Sequence, residues 1–396
     1  MKKISISLLF TTIALIGFSQ SISKSDMIVL DHKALVITKG KLAAKDKDMI
    51  LAYENLIEVC NQNLNFGPFS VMDKKDFPPS GNKHDYMSLA PYWWPNPATK
   101  NGLPYIRKDG DVNPEVRNYS DKEKMPRVCE KVYEFSLAYY LSGNEKYAQK
   151  AKQLVRTWFL DTATKMNPNV NYGQAVKGVV EGRGEGLIDT RHFIFLLDGV
   201  QILNQSKAWT KNDNNELKMW FKSYYDWLDN SKIGIDEKEA GNNHGIWYDA
   251  QALAITNYLG DDATSKKIIN RALDRLSNQM DAKGAFPLEL GRTNSLHYSV
   301  FIMNAFECIA QLSDNINVDF RSAKLSNGRT FKEAYDFILP YLVEGKVWTW
   351  PTLTHFNVGD AYPLLLSASK QYNCTNCVTY MRNQSPNFSK MIIQLL

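Results

Sequence analysis

From Val128 onward the chain alternates two kinds of helical stretch, one apolar nearly all round and one apolar along a single stripe. Tyr133 to Leu141 is apolar and aromatic, breaks at Ser142-Gly143-Asn144, and gives way to an amphipathic run from Glu145 to Phe159. The alternation recurs: apolar His192 to Leu203 precedes amphipathic Asn214 to Leu228, and Gly245 to Leu259 breaks at Gly260-Asp261 before Ala263 to Met280. Ser299 to Leu312 is followed by Phe331 to Val343, and a fifth apolar helix, Gly359 to Ala368, ends the series. Helices hidden on both sides and helices with one wet face fit an inner and an outer ring. The pattern therefore predicts an all-α fold, an (α/α)n toroid of about six to seven hairpins, incomplete or closed, with an open superhelix as the competing architecture.

Upstream the pattern changes. Lys41 to Cys60 reads as a helix through Ile50, Leu51, Tyr53, Leu56, Ile57 and Val59, and then periodicity vanishes from Asn61 to Met125. That interval holds eight prolines and the run His84-Asp85-Tyr86-Met87-Ser88-Leu89-Ala90-Pro91-Tyr92-Trp93-Trp94-Pro95. A loop this long in a compact protein is functional or disordered, and so many aromatic residues argue for a folded lid or wall. One of Trp93 and Trp94 is expected to plug the segment onto the core, leaving the other to stack on a sugar face.

At the start, Met1-Lys2-Lys3, an apolar stretch from Ile4 to Phe18 and small polar residues from Ser19 have the order of a secretory signal. Removal of residues 1–20 would leave 21–396 as one domain with 61–125 as its lid, periplasmic or secreted and free of the membrane. The chain is 44% hydrophobic and 12% aromatic, enough for a large core. Its formal net charge of +5 includes Lys2 and Lys3; so small an excess does not suggest nucleic acid, yet admits a local basic cleft for an acidic polymer. Five cysteines are not a disulfide framework; Cys374-Thr-Asn-Cys377 has the spacing of a redox or zinc pair, with no second pair or nearby histidine to complete a metal site, and in an exported protein it admits a local disulfide, while Cys60, Cys129 and Cys308 sit among apolar helical residues. The histidines are scattered without ligand spacing, so no metal is expected, and no motif asks for a cofactor.

Four polar stretches carry candidate chemistry. Gly241-Asn242-Asn243-His244-Gly245-Ile246-Trp247-Tyr248 opens a helix: Asn242 can cap it, and Asn243 and His244 can present neutral donors to an anion. Phe286 to Tyr298 gathers Glu289, Arg292, His297 and Tyr298 within a short length of chain. The stretches Asn167 to Gln174 and Glu181 to His192 mix glycine with charge; Glu181, Arg183 and Glu185 read as an ion-paired loop. Together, guanidinium, amide, imidazole and phenol suit elimination across C4 and C5 of a uronic acid. Removing the proton alpha to a carboxylate requires neutralising that carboxylate, and a base and an acid must serve C5 and the leaving O4. A glycoside hydrolase would instead need two carboxylates flanking the bond, for which Asp189, Asp249 and Glu289 are the candidates; a non-catalytic glycan binder would leave the Arg, His and Tyr cluster unexplained.

The Asn-Asn-His-Gly-Ile-Trp-Tyr run, Glu289-Leu-Gly-Arg292 to Leu296-His297-Tyr298, and Met166-Asn167-Pro168-Asn169 resemble the alginate lyase family of α/α-toroid polysaccharide lyases. The similarity spans the chain from about Tyr86 to the last helices. It implies β-elimination on a 1,4-linked polyuronate, alginate or glucuronan, to give a C4=C5 unsaturated end. Asn243 and Arg292 would then neutralise the substrate carboxylate, and His244 and Tyr298 would transfer protons. Asn242, Tyr92, Trp93, Trp94, Gln174, Arg191, His192, Glu289 and His297 would contact an anionic polysaccharide, with a monomer as the working unit. Where the best-known alginate lyases carry Ser-Tyr after Asn-Asn-His, this chain has Gly245-Ile246, and its Tyr86 to Pro95 segment resembles a related alginate or glucuronan branch.

Overall fold

The apolar stretches fold as helices lying side by side, and the amphipathic ones pack outside them. In the computed structural model, which describes residues 27–395, the helices are α1 (His32–Ala43), α2 (Lys47–Gln62), α3 (Ser120–Ser142), α4 (Glu145–Val155), α5 (Phe193–Leu203), α6 (Lys211–Asn230), α7 (Lys232–Lys238), α8 (Asn243–Leu259), α9 (Asp262–Gln279), α10 (Pro287–Leu290), α11 (Ser295–Asn315), α12 (Lys332–Val343), α13 (Tyr362–Gln371) and α14 (Thr375–Gln384). The inner helices α3, α5, α8, α11 and α13 each touch the next, and α4, α9, α12 and α14 back onto them, as does α6 against α8. With α1 and α2 this is an (α/α) toroid of six hairpins among the described residues. The expected signal segment, 1–20, lies outside them.

Burial follows the two kinds of helix. In α8 every residue from Ile246 to Thr256 is buried, including Asp249. A carboxylate there is costly unless paired, and both Arg271 and Arg275 of α9 reach it with Nε at 2.7 Å. The chain ends meet: α2 packs on α3 and on the 3-10 turns Phe388–Lys390 and Ile392–Leu395. Met27, Ile28 and Leu30 are buried in the same core. Asp198 of α5, fully buried, accepts the backbone N–H groups of Ile28 (2.8 Å), Val29 and Leu30, while Asn315 Nδ2 donates to Ile28 O at 2.6 Å. Burial pushes the Asp198 carboxyl up to about 7 despite those three donors.

The lid is built. Strand β1 (Met87–Leu89) pairs in parallel with β4 (Tyr172–Ala175), and β2 (Trp93–Trp94) pairs antiparallel with β3 (Ile106–Arg107). Buried Asp189 ties β1 to the ring by accepting from Ser88 Oγ (2.7 Å) and Tyr86 OH (3.1 Å), with Lys122 at 3.3 Å.

Several boundaries differ from the sequence reading. The stretch expected as one helix from Lys41 is two, because Lys45 turns left-handed (φ 59°) and Asp46 caps α2. Helix α3 begins already at Ser120 and carries Pro126 inside it. The expected run to Phe159 leaves α-helical geometry after Val155 and ends in a π turn. Helix α7 and strand β4 carry too little periodicity to be foreseen. Cys374 and Cys377 form a disulfide, and Cys60, Cys129 and Cys308 are buried free thiols. Among the described residues no helix is long and apolar enough to cross a membrane.

Candidate active site

The first turn of α8 is fixed before any ligand arrives. Asn242 caps it, its side-chain oxygen accepting the His244 N–H at 3.1 Å. Asn243, 1% exposed, donates its backbone N–H (2.8 Å) and its side-chain amide (3.0 and 2.9 Å) to the carboxylate of Glu289 on α10. The amide expected to meet substrate is thus held by Glu289. Burial raises the pKa of Glu289, and the Asn243 hydrogen bonds pull against that rise. His244 Nδ1 lies 2.7 Å from Glu237 Oε1, from α7, so the Nδ1–H donates to a buried carboxylate. Burial alone would lower the pKa of His244; the charge and hydrogen bond of Glu237 override it, and the net shift is upward.

Gly245 is required by this arrangement. A Cβ there would meet Ala240 O at 2.1 Å and Arg275 Nη1 at 2.6 Å. Arg275 itself bridges Asp249, Ala240 O (2.9 Å) and Lys238 O, fastening the end of α7 against α8. That fastening sets Glu237 beside His244.

The second group comes from the turn between α10 and α11. Arg292 holds Asp109 of the lid with two hydrogen bonds, Nη2 to Oδ1 at 2.7 Å and Nε to Oδ2 at 3.1 Å. Its guanidinium lies 3.7 Å above the ring of Tyr298, whose hydroxyl is 2.8 Å from that of Tyr92. Burial, reinforced by Tyr92 and opposed by Arg292, pushes the Tyr298 phenol well above its ordinary value, so it is protonated at neutral pH. The lid tip comes so close that only glycine fits: Gly110 has φ 77°, and a Cβ would stand 2.4 Å from Thr293 Oγ1.

Beside Tyr298, His297 stacks on Phe301 (centroids 5.9 Å, planes 10° apart) with Nδ1 3.5 Å from Asp360. Burial lowers its pKa against the pull of Asp360. Arg191 lies over the other part of this wall, 5.6 Å from the Phe301 centroid, and next to it burial and the Arg191 charge push His192 down to about 3.

A family model described as alginate lyase matches residues 70–348. The chain belongs to the alginate lyase family. Among solved structures, an alginate lyase from Bacteroides ovatus is 34% identical, with a TM-score of 0.87 over 93% of this chain and 98% of that one. Alginate lyase A1-III from Sphingomonas species A1 has 15% identity and a TM-score of 0.51 over 81% of this chain and 88% of that one, which bears on the fold alone. No match was found among curated proteins.

In this member of the alginate lyase family, Tyr92 and Arg292 each touch Tyr298, while Asn243 and His244 are each bound to a glutamate. Glu289, bound to Asn243, feels the charges of both Arg292 and His244. Of the two lid tryptophans, Trp93 is the plug: it packs on Ala90, Tyr105 and Val176, with Arg183 over its ring at 5.9 Å. The Trp94 indole N–H is taken by Asp111 O at 2.9 Å, with Lys108 over the ring. Gln174 departs from the expectation of a substrate contact. It is 5% exposed, donates to Asp189 (3.5 Å) and accepts from Arg183 Nη2 (3.0 Å), so it braces the wall. Arg183 pairs with Glu185 at 2.8 Å, as the ion-paired loop requires. Sequence reasoning missed Glu237, Asp109, Asp360 and Phe301. Glu237 is one of several acidic residues in a charged run, and nothing in its spacing points to His244.

Proposed function

We propose that the protein is a polysaccharide lyase that cleaves alginate by β-elimination, with glucuronan as a second substrate class to test. The observation that carries this reading is the Arg292 fork, which already grips a carboxylate in bidentate form against the face of a protonated tyrosine. A substrate uronate would take the place of Asp109 on that fork, so that its carboxylate is neutralised as C5 loses its proton. His244, oriented through Nδ1 by Glu237, offers Nε2 as the base; Tyr298 gives its proton to the departing O4. The hydrolase alternative lacks its acids: Asp189 and Asp249 are buried in ion pairs, and Glu289 is taken by Asn243. Export from the cytoplasm belongs to the same proposal, supported by the Cys374–Cys377 disulfide.

The test is to incubate the protein with alginate, glucuronan and pectate and follow the ultraviolet absorbance of the conjugated product. New reducing ends without that absorbance would overturn the lyase in favour of a hydrolase. Tyr298→Phe is expected to lower kcat by about 10²- to 10⁴-fold, the usual contribution of a general acid; a variant of undiminished kcat would remove Tyr298 from the mechanism.

A further inference from the structure

Arg191 is the guanidinium of this wall that holds no carboxylate in contact. Arg156, Arg183, Arg271, Arg275, Arg292 and Arg321 each hold a carboxylate. Arg191 makes one hydrogen bond, Nη1 to Ile188 O at 2.9 Å, and among the described residues no carboxylate comes within ion-pair distance. Its neighbour in sequence, Asp189, is the obvious candidate, but that carboxylate is occupied by Lys122, Tyr86 and Ser88. Partly burying a guanidinium without a carboxylate in contact is unfavourable, and burial lowers its pKa although the more distant charge of Asp189 pulls the other way. Such a group gains most from an anion delivered from outside.

Its position says which anion. Arg191 and His297 share the ring of Phe301, and His297 meets Tyr298 edge to face at 5.4 Å. Arg191 and Arg292 both act electrostatically on His297, and the ring contacts run in order from Arg191 through Phe301, His297 and Tyr298 to Arg292. The wall thus carries two guanidinium groups with His297 between them. Arg292 lies on the reacting tyrosine; Arg191 lies further along the wall. A polyuronate carries a carboxylate on every sugar, so a chain that continues along this wall beyond Tyr298 brings a second carboxylate to Arg191.

We propose that Arg191 seats a second substrate carboxylate, that of the uronate adjacent to the one deprotonated at C5. This rests on the polyuronate reading above. It makes the enzyme selective for runs of contiguous uronates over polymers in which uronates alternate with neutral sugars, because the latter leave Arg191 empty. Binding loses a charge-assisted hydrogen bond when the seat is vacated, which corresponds to roughly ten- to a hundredfold in affinity.

The test separates binding from turnover. A saturated tetramannuronate and its carboxyl-reduced, neutral counterpart are titrated calorimetrically into Tyr298→Phe and into Tyr298→Phe carrying Arg191→Gln. The acidic tetramer is expected to bind the second protein about ten- to a hundredfold more weakly, the neutral tetramer equally to both, and Arg191→Lys to recover part of the loss because the charge returns without the fork. Equal affinity of the acidic tetramer for both proteins, or an equal loss for the neutral one, would overturn the proposal. In the active enzyme the loss falls on KM more than kcat. Since the titration needs no turnover, an absence of unsaturated product from every polyuronate would sink the lyase reading separately.

Discussion

At the scale of single residues each candidate group has a partner that fixes its state: buried Glu237 for His244, buried Glu289 for Asn243, and partly exposed Asp109 for Arg292. Glu237 raises the pKa of His244 against burial. If His244 is the base, it must be neutral, so kcat/KM is expected to fall as pH drops through a value above the ordinary 6.5 of a histidine. Glu237→Gln removes the charge that raises it; burial then dominates, and the acidic limb of the pH profile should move to lower pH while kcat drops. A limb that stays in place would mean that another group controls it. Of this arrangement the sequence exposed Asn242, Asn243, His244, Arg292 and Tyr298, because they cluster in short polar runs inside apolar surroundings. It hid Glu237 and Asp109, since each reaches its partner only through the folding of a segment without periodicity.

At the scale of elements the lid is a braced wall whose tip is closed onto the site through Asp109. If a uronate binds the Arg292 fork as proposed, it must compete with Asp109, which occupies that fork. Asp109→Asn is expected to lower KM for alginate by about fivefold, the equivalent of ~1 kcal/mol for a partly exposed pair. Hydrogen exchange of the amides around Ile106 to Asp111 should quicken in the same variant. A raised KM would show instead that Asp109 serves to aim Arg292. The inner and outer helices were legible because their apolar periodicity survives on every turn. The lid was legible only as a folded interval: β1 pairs with β4, far along the chain, and no local pattern encodes such a pairing.

At the scale of the whole molecule a short N-terminal strap ties the inner helices α5 and α11 together. Met27, Ile28 and Leu30 lie in the core, and three backbone N–H groups converge on Asp198. A chain beginning at Asp31 strands that carboxyl, and leaving a buried acceptor without its donors costs roughly 1–3 kcal/mol; a thermal melt should show it as a fall in Tm. Asp198 also links stability to pH. Its folded pKa of about 7 lies above the ordinary 3.8 of an aspartate, so its contribution is full below that lower value and is lost as pH rises through about 7. The difference in Tm between the full chain and Asp198→Asn should therefore change between pH 4 and pH 8, and a constant difference would contradict the assignment.

A ring of repeated hairpins invites recombination between related toroids, and Gly245 limits where the crossovers can fall. A serine side chain at that position would collide with Ala240 O, a backbone atom, as well as with Arg275. The first turn of α8 is therefore not an exchangeable cassette. A chimaera that imports the Ser-Tyr version of this turn must bring its own α7 and α9 as a single block, or the partner of His244 is lost along with the fit.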